Sequence, residues 1–235
     1  MKAVILAGGL GTRLKPFTEV IPKPLLPIGE KAVLEIQIEH LKRHGFTEIF
    51  LATNYRSEYI ENFLGDGSRY GVTIVVSKET KPLGTAGPLT LLRPYLQEPF
   101  VLMNGDVLSS IDFTRFYRWS VQHPALLTIS IKKFILPYAF GNILFEGDIV
   151  THIEEKPNFV TYALAGIYVM KPDIVRLIPE DTYYGMDRLI RDMLTKQLPV
   201  AKYELTEYWL DIGRVDDYER AQEEFKSHFS GDERA

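Results

Sequence analysis

The chain has 235 residues, 46% of them apolar, a formal net charge of −4 and no cysteine. That length suits one α/β domain with at most a small appendage, and the mild acidity gives no basic field for non-specific nucleic-acid binding. Without cysteine there is no disulfide framework, thiolate metal site or thiol nucleophile, and no apolar run approaches the roughly 20 residues of a membrane span.

Residues 3–7 form an apolar run that reads as a buried strand; beginning so close to Met1, it leaves no signal peptide, and a cytoplasmic protein is expected. The run breaks into Gly8, Gly9 and Gly11, followed by Thr12 and Arg13. Three glycines in four positions pack no side chains, so bare backbone is required there. Successive N–H groups in such a turn form a concave nest for phosphate oxygens, with a guanidinium at the rim to grip them. The spacing is neither a dinucleotide-binding fingerprint, whose third glycine would stand at Leu14, nor a Walker A loop. A ligand-free strand-to-helix turn is the plainer reading of the glycines alone. Lys23 lies between Pro22 and Pro24, with Pro27 beyond, which predicts a stiff, extended mount for its ammonium.

Residues 33–44 read as a helix, with Leu34, Ile38 and Leu41 on one face and Gly45 placed to end it. A strand follows over 48–53, a short helix over 58–64 closed by Gly65-Asp66-Gly67, and a strand over 73–77. Residues 89–96 read as helical despite Pro88 and Pro94, and the continuous apolar run 100–103 as a central buried strand. Strands alternating with helices predict βα units: a single-domain, Rossmann-like α/β fold, doubly wound around a mostly parallel sheet. The second half is less regular. Residues 126–132, 142–145, 149–153 and 166–170 are strand-like, with Gly147-Asp148 as a hairpin turn, and predict a smaller antiparallel part. Helices over 172–178 and 186–196 and strands over 199–204 and 208–212 follow. A last helix carries the stripe Tyr218, Ala221 and Phe225, with Asp216 as the expected N-cap. One domain over 1–229 and a disordered tail over 230–235 are expected.

Asn104-Gly105-Asp106 follows directly on the 100–103 run, so the Asp106 carboxylate projects past the carboxyl end of a central strand, where open α/β sheets bind ligands. Asp211, in Tyr-Trp-Leu-Asp-Ile-Gly-Arg, stands likewise after a short apolar strand. Two carboxylates at strand ends suit a hard cation such as Mg²⁺, which takes one or two carboxylates and completes its shell with phosphate oxygens and water. A turn residue at Asp106 and a helix cap or turn at Asp211 are the lesser readings, and spacing does not say whether the two meet. Glu154-Glu155-Lys156-Pro157 closes another strand and on composition is as much a charged hairpin end as a site. None of the five histidines lies in a motif, and surface or satisfied-core roles are expected for all of them.

The run 8–24, G-G-x-G-T-R-L-x-P-x-T-x-x-x-P-K-P, resembles the signature of the sugar-1-phosphate nucleotidyltransferases, which join a nucleotide from an NTP to a sugar 1-phosphate and release pyrophosphate. The likeness extends from Met1 to about Phe225. It implies that Leu6, Ala7, Gly8, Gly9, Gly11 and Thr12 bind the nucleotide, that Arg13 and Lys23 act on its reacting phosphates, and that Asp106 and Asp211 hold Mg²⁺. It also implies that Lys156 holds the phosphate of the sugar 1-phosphate, that Glu155 accepts hydrogen bonds from ring hydroxyls, and that Gly141 gives its bare backbone to the sugar.

The segment 79–87, E-x-x-P-L-G-T-A-G, is similar to the base-reading loop of mannose-1-phosphate guanylyltransferases, which assigns Glu79 and Gly84 to the base. An ionised carboxylate only accepts hydrogen bonds and so matches the two donors on guanine's edge, whereas uracil or thymine offers one donor between acceptors. GTP with a mannose-configured sugar is the leading expectation; a thymidylyl- or uridylyltransferase acting on a glucose-type sugar is the alternative. Three positions depart from the resemblance: Leu164 stands where most relatives carry asparagine, Phe140 where they carry tyrosine, and Tyr184-Gly185-Met186-Asp187-Arg188 where F-D-M-P-D is usual. Losing such polar groups alters sugar recognition, and it is the feature that favours a third reading, a non-catalytic nucleotide-sugar-binding subunit. Retention of Arg13, Lys23, Asp106 and Asp211 together argues for the enzyme. The expected partners are small-molecule substrates, with no nucleic acid and no membrane, and a homo-oligomer is left open. The end of the chain soon after the last helix predicts no appended β-helix domain. With no histidine or cysteine in a motif, the expected mechanism is alignment and relief of charge repulsion, with no covalent enzyme intermediate.

Overall fold

The N-terminal apolar run becomes β1 (Lys2–Leu6), and the glycine turn after it leads through α1 (Phe17–Val20) to a small hairpin, β2 (Pro27–Ile28) and β3 (Lys31–Ala32). Next come α2 (Val33–Arg43), β4 (Glu48–Thr53), α3 (Ser57–Leu64), β5 (Thr73–Lys78), β6 (Phe100–Asn104), β7 (Val107–Ser109) and α4 (Phe113–Gln122). The second half carries β8 (Leu127–Pro137), β9 (Asn142–Glu146), β10 (Ile149–Glu154), β11 (Asn158–Met170), α5 (Met186–Thr195), β12 (Val200–Glu204), β13 (Trp209–Asp211) and α6 (Val215–Phe229). The computed structural model describes residues 1–54 and 56–229, so the tail expected over 230–235 lies outside the described residues.

Seven strands form the central sheet in the order β12-β8-β11-β6-β1-β4-β5. β5, β4, β1 and β6 are parallel, β11 runs against both β6 and β8, and β12 is parallel to β8. The mostly parallel α/β sheet is therefore present. Side chains alternate across it. Ala3, Ile5, Val101 and Met103 pack with Leu34, Ile38, Phe113 and Phe116 of α2 and α4, while Val4, Phe100 and Leu102 pack with Leu189 and Met193 of α5. Being covered on both faces, β1 and β6 carry continuous apolar runs rather than alternating ones. The distal halves of β8 and β11 pair beyond the sheet and, with the β9–β10 hairpin, make the smaller antiparallel part.

Several local expectations are corrected. Residues 89–96 form a 3₁₀ turn over Gly87–Thr90 and then irregular turns, because Pro94 has no N–H for an α-helical bond and the chain uses three-residue bonds such as Leu91 N to Pro88 O. Pro172–Leu177 is likewise 3₁₀. Lys23 sits at the head of a 3₁₀ turn, Lys23–Leu25, and not on an extended segment; Pro24, in a first turn, forfeits no bond there. α6 starts at Val215, and Asp217 rather than Asp216 caps it, its carboxylate accepting from the Arg214 N–H at 2.9 Å. β11 runs 13 residues, where only its last part was expected. The helix α4 was not expected. Its signals were the Asp112 N-cap, which accepts from the Arg115 N–H at 2.9 Å, and the Phe113–Phe116 spacing on one face.

Candidate active site

The carboxyl ends of β1 and β6 lie side by side, with Leu6 in register with Asn104. Gly105 closes the gap: its N–H donates to Leu6 O at 2.9 Å, and a Cβ there would stand 2.6 Å from that oxygen. The next residue, Asp106, therefore emerges at the sheet's rim. β13 pairs antiparallel with β7, placing Asp211 opposite Val107, and the Ile212 N–H donates to Asp106 O at 2.9 Å. The two aspartates that spacing alone could not relate are thus brought together by a two-stranded ladder. Their charges interact. Burial first, then the Asp106 charge, raises the Asp211 pKa, while Lys23 and Arg13 pull it down.

Lys23, 9% exposed, forms an ion pair with Asp106 Oδ2. The other oxygen of Asp106 and one oxygen of Asp211, both Oδ1, are buried without a hydrogen-bond partner among the described residues. Buried carboxylate oxygens left unpaired are costly, and two of them at one rim fit a divalent cation with an all-oxygen shell. Arg13 closes the group: a Cβ on Gly213 would lie 3.5 Å from Asp211 Oδ1 and 3.8 Å from an Arg13 Nη. Arg13, Lys23, Asp106 and Asp211 therefore occupy one place.

The glycine turn lies beside them. Ala7, just past Leu6, donates to Ala52 O at 2.8 Å, Gly9 faces open space, and Thr12 is exposed. Gly11, at φ +61°, accepts at its carbonyl from Leu14 N–H and the Thr18 hydroxyl. Across the turn stands Glu79, since a Cβ on Gly8 would come 3.4 Å from its Oε1. Its other oxygen accepts from Leu83 N–H at 2.8 Å. Burial pushes the Glu79 pKa up, opposed by hydrogen bonds from Leu83 and Asn54. Gly84, at φ +82°, is bare for packing: a Cβ there would stand 2.8 Å from Tyr184 O. On the antiparallel side, Gly141 and Glu155 meet, with 3.3 Å between Glu155 Oε2 and a Cβ on Gly141. Lys156 is next to them, exposed and at φ +48°. No bond among the described residues joins this second group to the aspartate pair.

Residues 2–228 match the family model described as Nucleotidyl transferase. The chain belongs to that family. It is similar to the mannose-1-phosphate guanylyltransferase catalytic subunit beta of Danio rerio, 36% identical over 226 residues, 93% of this chain and 62% of the relative. The mannose-1-phosphate guanyltransferase of Candida albicans is 36% identical over 227 residues, with the same shares of 93% and 62%. The chain thus spans less than two thirds of the length of these curated relatives. Among solved structures, HddC from Yersinia pseudotuberculosis is 30% identical with a TM-score of 0.75, covering 96% of this chain and 99% of that one. The same protein has been solved complexed with GMP-PN.

One residue of this nucleotidyl transferase domain escaped sequence reasoning. Gln37, 3% exposed on α2, donates from Nε2 to Asn104 O at 3.0 Å and to Val107 O at 2.7 Å. It bridges the turn that carries Asp106 from beneath. The available signal was a lone amide among the apolar residues of the buried face of α2. Two of the histidines tie α2 to the segment around the start of α4: His40 Nε2 lies 2.9 Å from Ile111 O, and His44 Nδ1 lies 2.9 Å from the Thr114 hydroxyl. No helix among the described residues is long and apolar enough to cross a membrane.

Proposed function

We propose that the chain is an enzyme that transfers a nucleotidyl group from an NTP, GTP by preference, to a sugar 1-phosphate of mannose configuration. An oxygen of the sugar phosphate attacks the α-phosphorus; the bond from that phosphorus to the β-phosphate oxygen breaks, and pyrophosphate leaves with the electron pair. The phosphate monoester is anionic near neutral pH, so no side chain need remove a proton. The demand is to hold two polyanions in line against their repulsion, which is positioning and electrostatics. The observation that carries the reading is the meeting of Arg13, Lys23 and the two aspartates at the rim of β1 and β6.

On this reading Leu6 to Thr12 seat the triphosphate with their backbone, Arg13 grips its outer oxygens, and Lys23 serves the reacting phosphates while anchoring Asp106. Asp106 and Asp211 would hold Mg²⁺, the hard cation their oxygens suit, and bound there it supplies Lewis-acid neutralisation of the phosphates. Glu79 reads the guanine edge from across Gly8, with Gly84 shaping its loop, and Gly141, Glu155 and Lys156 receive the sugar. The guanylyl preference draws on the relatives' names and on the carboxylate at Glu79. A nucleotide-sugar made this way would serve polysaccharide assembly from the cytoplasm. The test is a matrix of four NTPs against a panel of sugar 1-phosphates with Mg²⁺, reading released pyrophosphate. Turnover with GTP and mannose 1-phosphate is expected. Turnover with dTTP or UTP but none with GTP moves the assignment to the thymidylyl- or uridylyltransferase alternative. Silence in every well with tight nucleotide-sugar binding indicates a non-catalytic subunit.

A further inference from the structure

Beside the aspartate pair an open cavity of about 470 Å³ runs from Arg13 past Asp211, with Lys132 and Phe134 of β8, Trp209 of β13 and Arg214 among its walls. Its volume lies in the range of small-molecule sites. One wall is an aromatic ledge: the rings of Phe134 and Trp209 stand 6.2 Å apart at 78°, and the indole N–H of Trp209 donates to Ala165 O at 2.7 Å, which fixes its tilt. Lys132 reaches across the cavity wall to donate to Glu207 O at 2.7 Å. The neighbouring charges are already engaged. Asp217 accepts from the backbone N–H of Arg214, and Arg220 pairs with Glu224 at 2.8 Å. The exposed guanidinium of Arg214 has no carboxylate partner among the described residues.

A fixed aromatic ledge with an unpaired guanidinium and an ammonium at its edge matches a ligand with a C–H-rich ring face and an anionic end. Resting on the nucleotidyl-transfer reading above, we propose that Arg214, with Lys132, is a specificity-determining grip on the acceptor's phosphate, whose sugar ring lies on the Trp209–Phe134 ledge. A guanidinium can take two phosphate oxygens in parallel bonds, and Arg214 lines the same cavity as Asp211 and Arg13. This grip is in addition to that of Lys156.

Trp209 and Trp119 are the two tryptophans of the chain, so in a Trp119→Phe background the fluorescence reports Trp209 alone. The protein is titrated with mannose 1-phosphate and glucose 1-phosphate, with inorganic phosphate as a control for the anion alone. A saturable change with a sugar 1-phosphate is expected. Arg214→Ala should weaken it about ten- to hundredfold, as for loss of a charged hydrogen bond, and raise the acceptor KM by the same factor with the GTP KM unchanged. Equal affinity in parent and Arg214→Ala, no saturable change in the parent, or an equal rise in both KM values overturns the proposal. If binding depends on Arg214 but no NTP yields pyrophosphate, the grip stands and the nucleotidyl-transfer reading fails.

Discussion

Burial first, then the Asp106 charge, raises the Asp211 pKa above the ordinary aspartate value, with Lys23 and Arg13 opposing. A folded carboxyl that binds its proton more tightly than the unfolded one makes stability fall as pH rises from the ordinary aspartate value through the raised one. Above that window the penalty is complete. Asp211→Asn should therefore raise the melting temperature of the metal-free protein at pH 7, lose the advantage below about pH 3, and remove turnover. Calorimetry in a chelator checks it. His40 has the opposite sign of shift: burial is the main cause that lowers its pKa from 6.5 to about 4, with His44 and Arg43 adding to it and the Ile111 carbonyl and Asp112 opposing. The unfolded chain binds that proton first, so stability is full above pH 6.5 and is lost as pH falls towards 4, by up to ~3 kcal/mol. In His40→Gln, urea titrations at several pH values should show a flatter acid limb. For Gln37→Met, stability should fall by about 1–3 kcal/mol as Asn104 O and Val107 O lose their donor. The looser Asp106 turn should lower kcat by about ten- to hundredfold, read in folded protein.

At the scale of elements, the loop 79–87 is locked to 182–184. Tyr184 O accepts from the N–H groups of Ala86 and Gly87 at 2.9 and 3.0 Å, and Gly84 leaves no room for a side chain against Tyr184. Gly84→Ala should cost about 1–3 kcal/mol through its left-handed conformation and raise the GTP KM by pushing Glu79 out of place, a change visible in nucleotide titrations. Legibility in the sequence followed burial. β1 and β6 are covered on both faces, so their apolar runs announced them, and the glycine turn and Asp106 could be placed from those runs. The 11-residue β8 and 13-residue β11 extend past the sheet into exposed positions where no alternation marks a core face, so their distal halves were missed. The mount of Lys23 was misread because a proline within a first turn is compatible with a 3₁₀ bend. That Asp106 and Asp211 meet could not be read locally, since the β7–β13 ladder joins residues about a hundred positions apart.

Over the whole molecule, charge is concentrated where the strands end. Two strands, one 3₁₀ turn and one glycine turn bring Arg13, Lys23 and two aspartates to the same rim, while the sheet beneath is apolar on both faces. The central claim is that this gathering of charge is the catalysis. Arg13 tests it most directly because its side chain is exposed and its removal leaves the core intact. The measurement is pyrophosphate release at saturating GTP and sugar 1-phosphate by Arg13→Ala, with its melting temperature as the control for folding. A fall in kcat of about 10²–10³-fold, as for loss of a charge-stabilising donor, is predicted. A fall of less than about threefold in a folded variant contradicts the account, because a donor of that kind cannot be lost so cheaply.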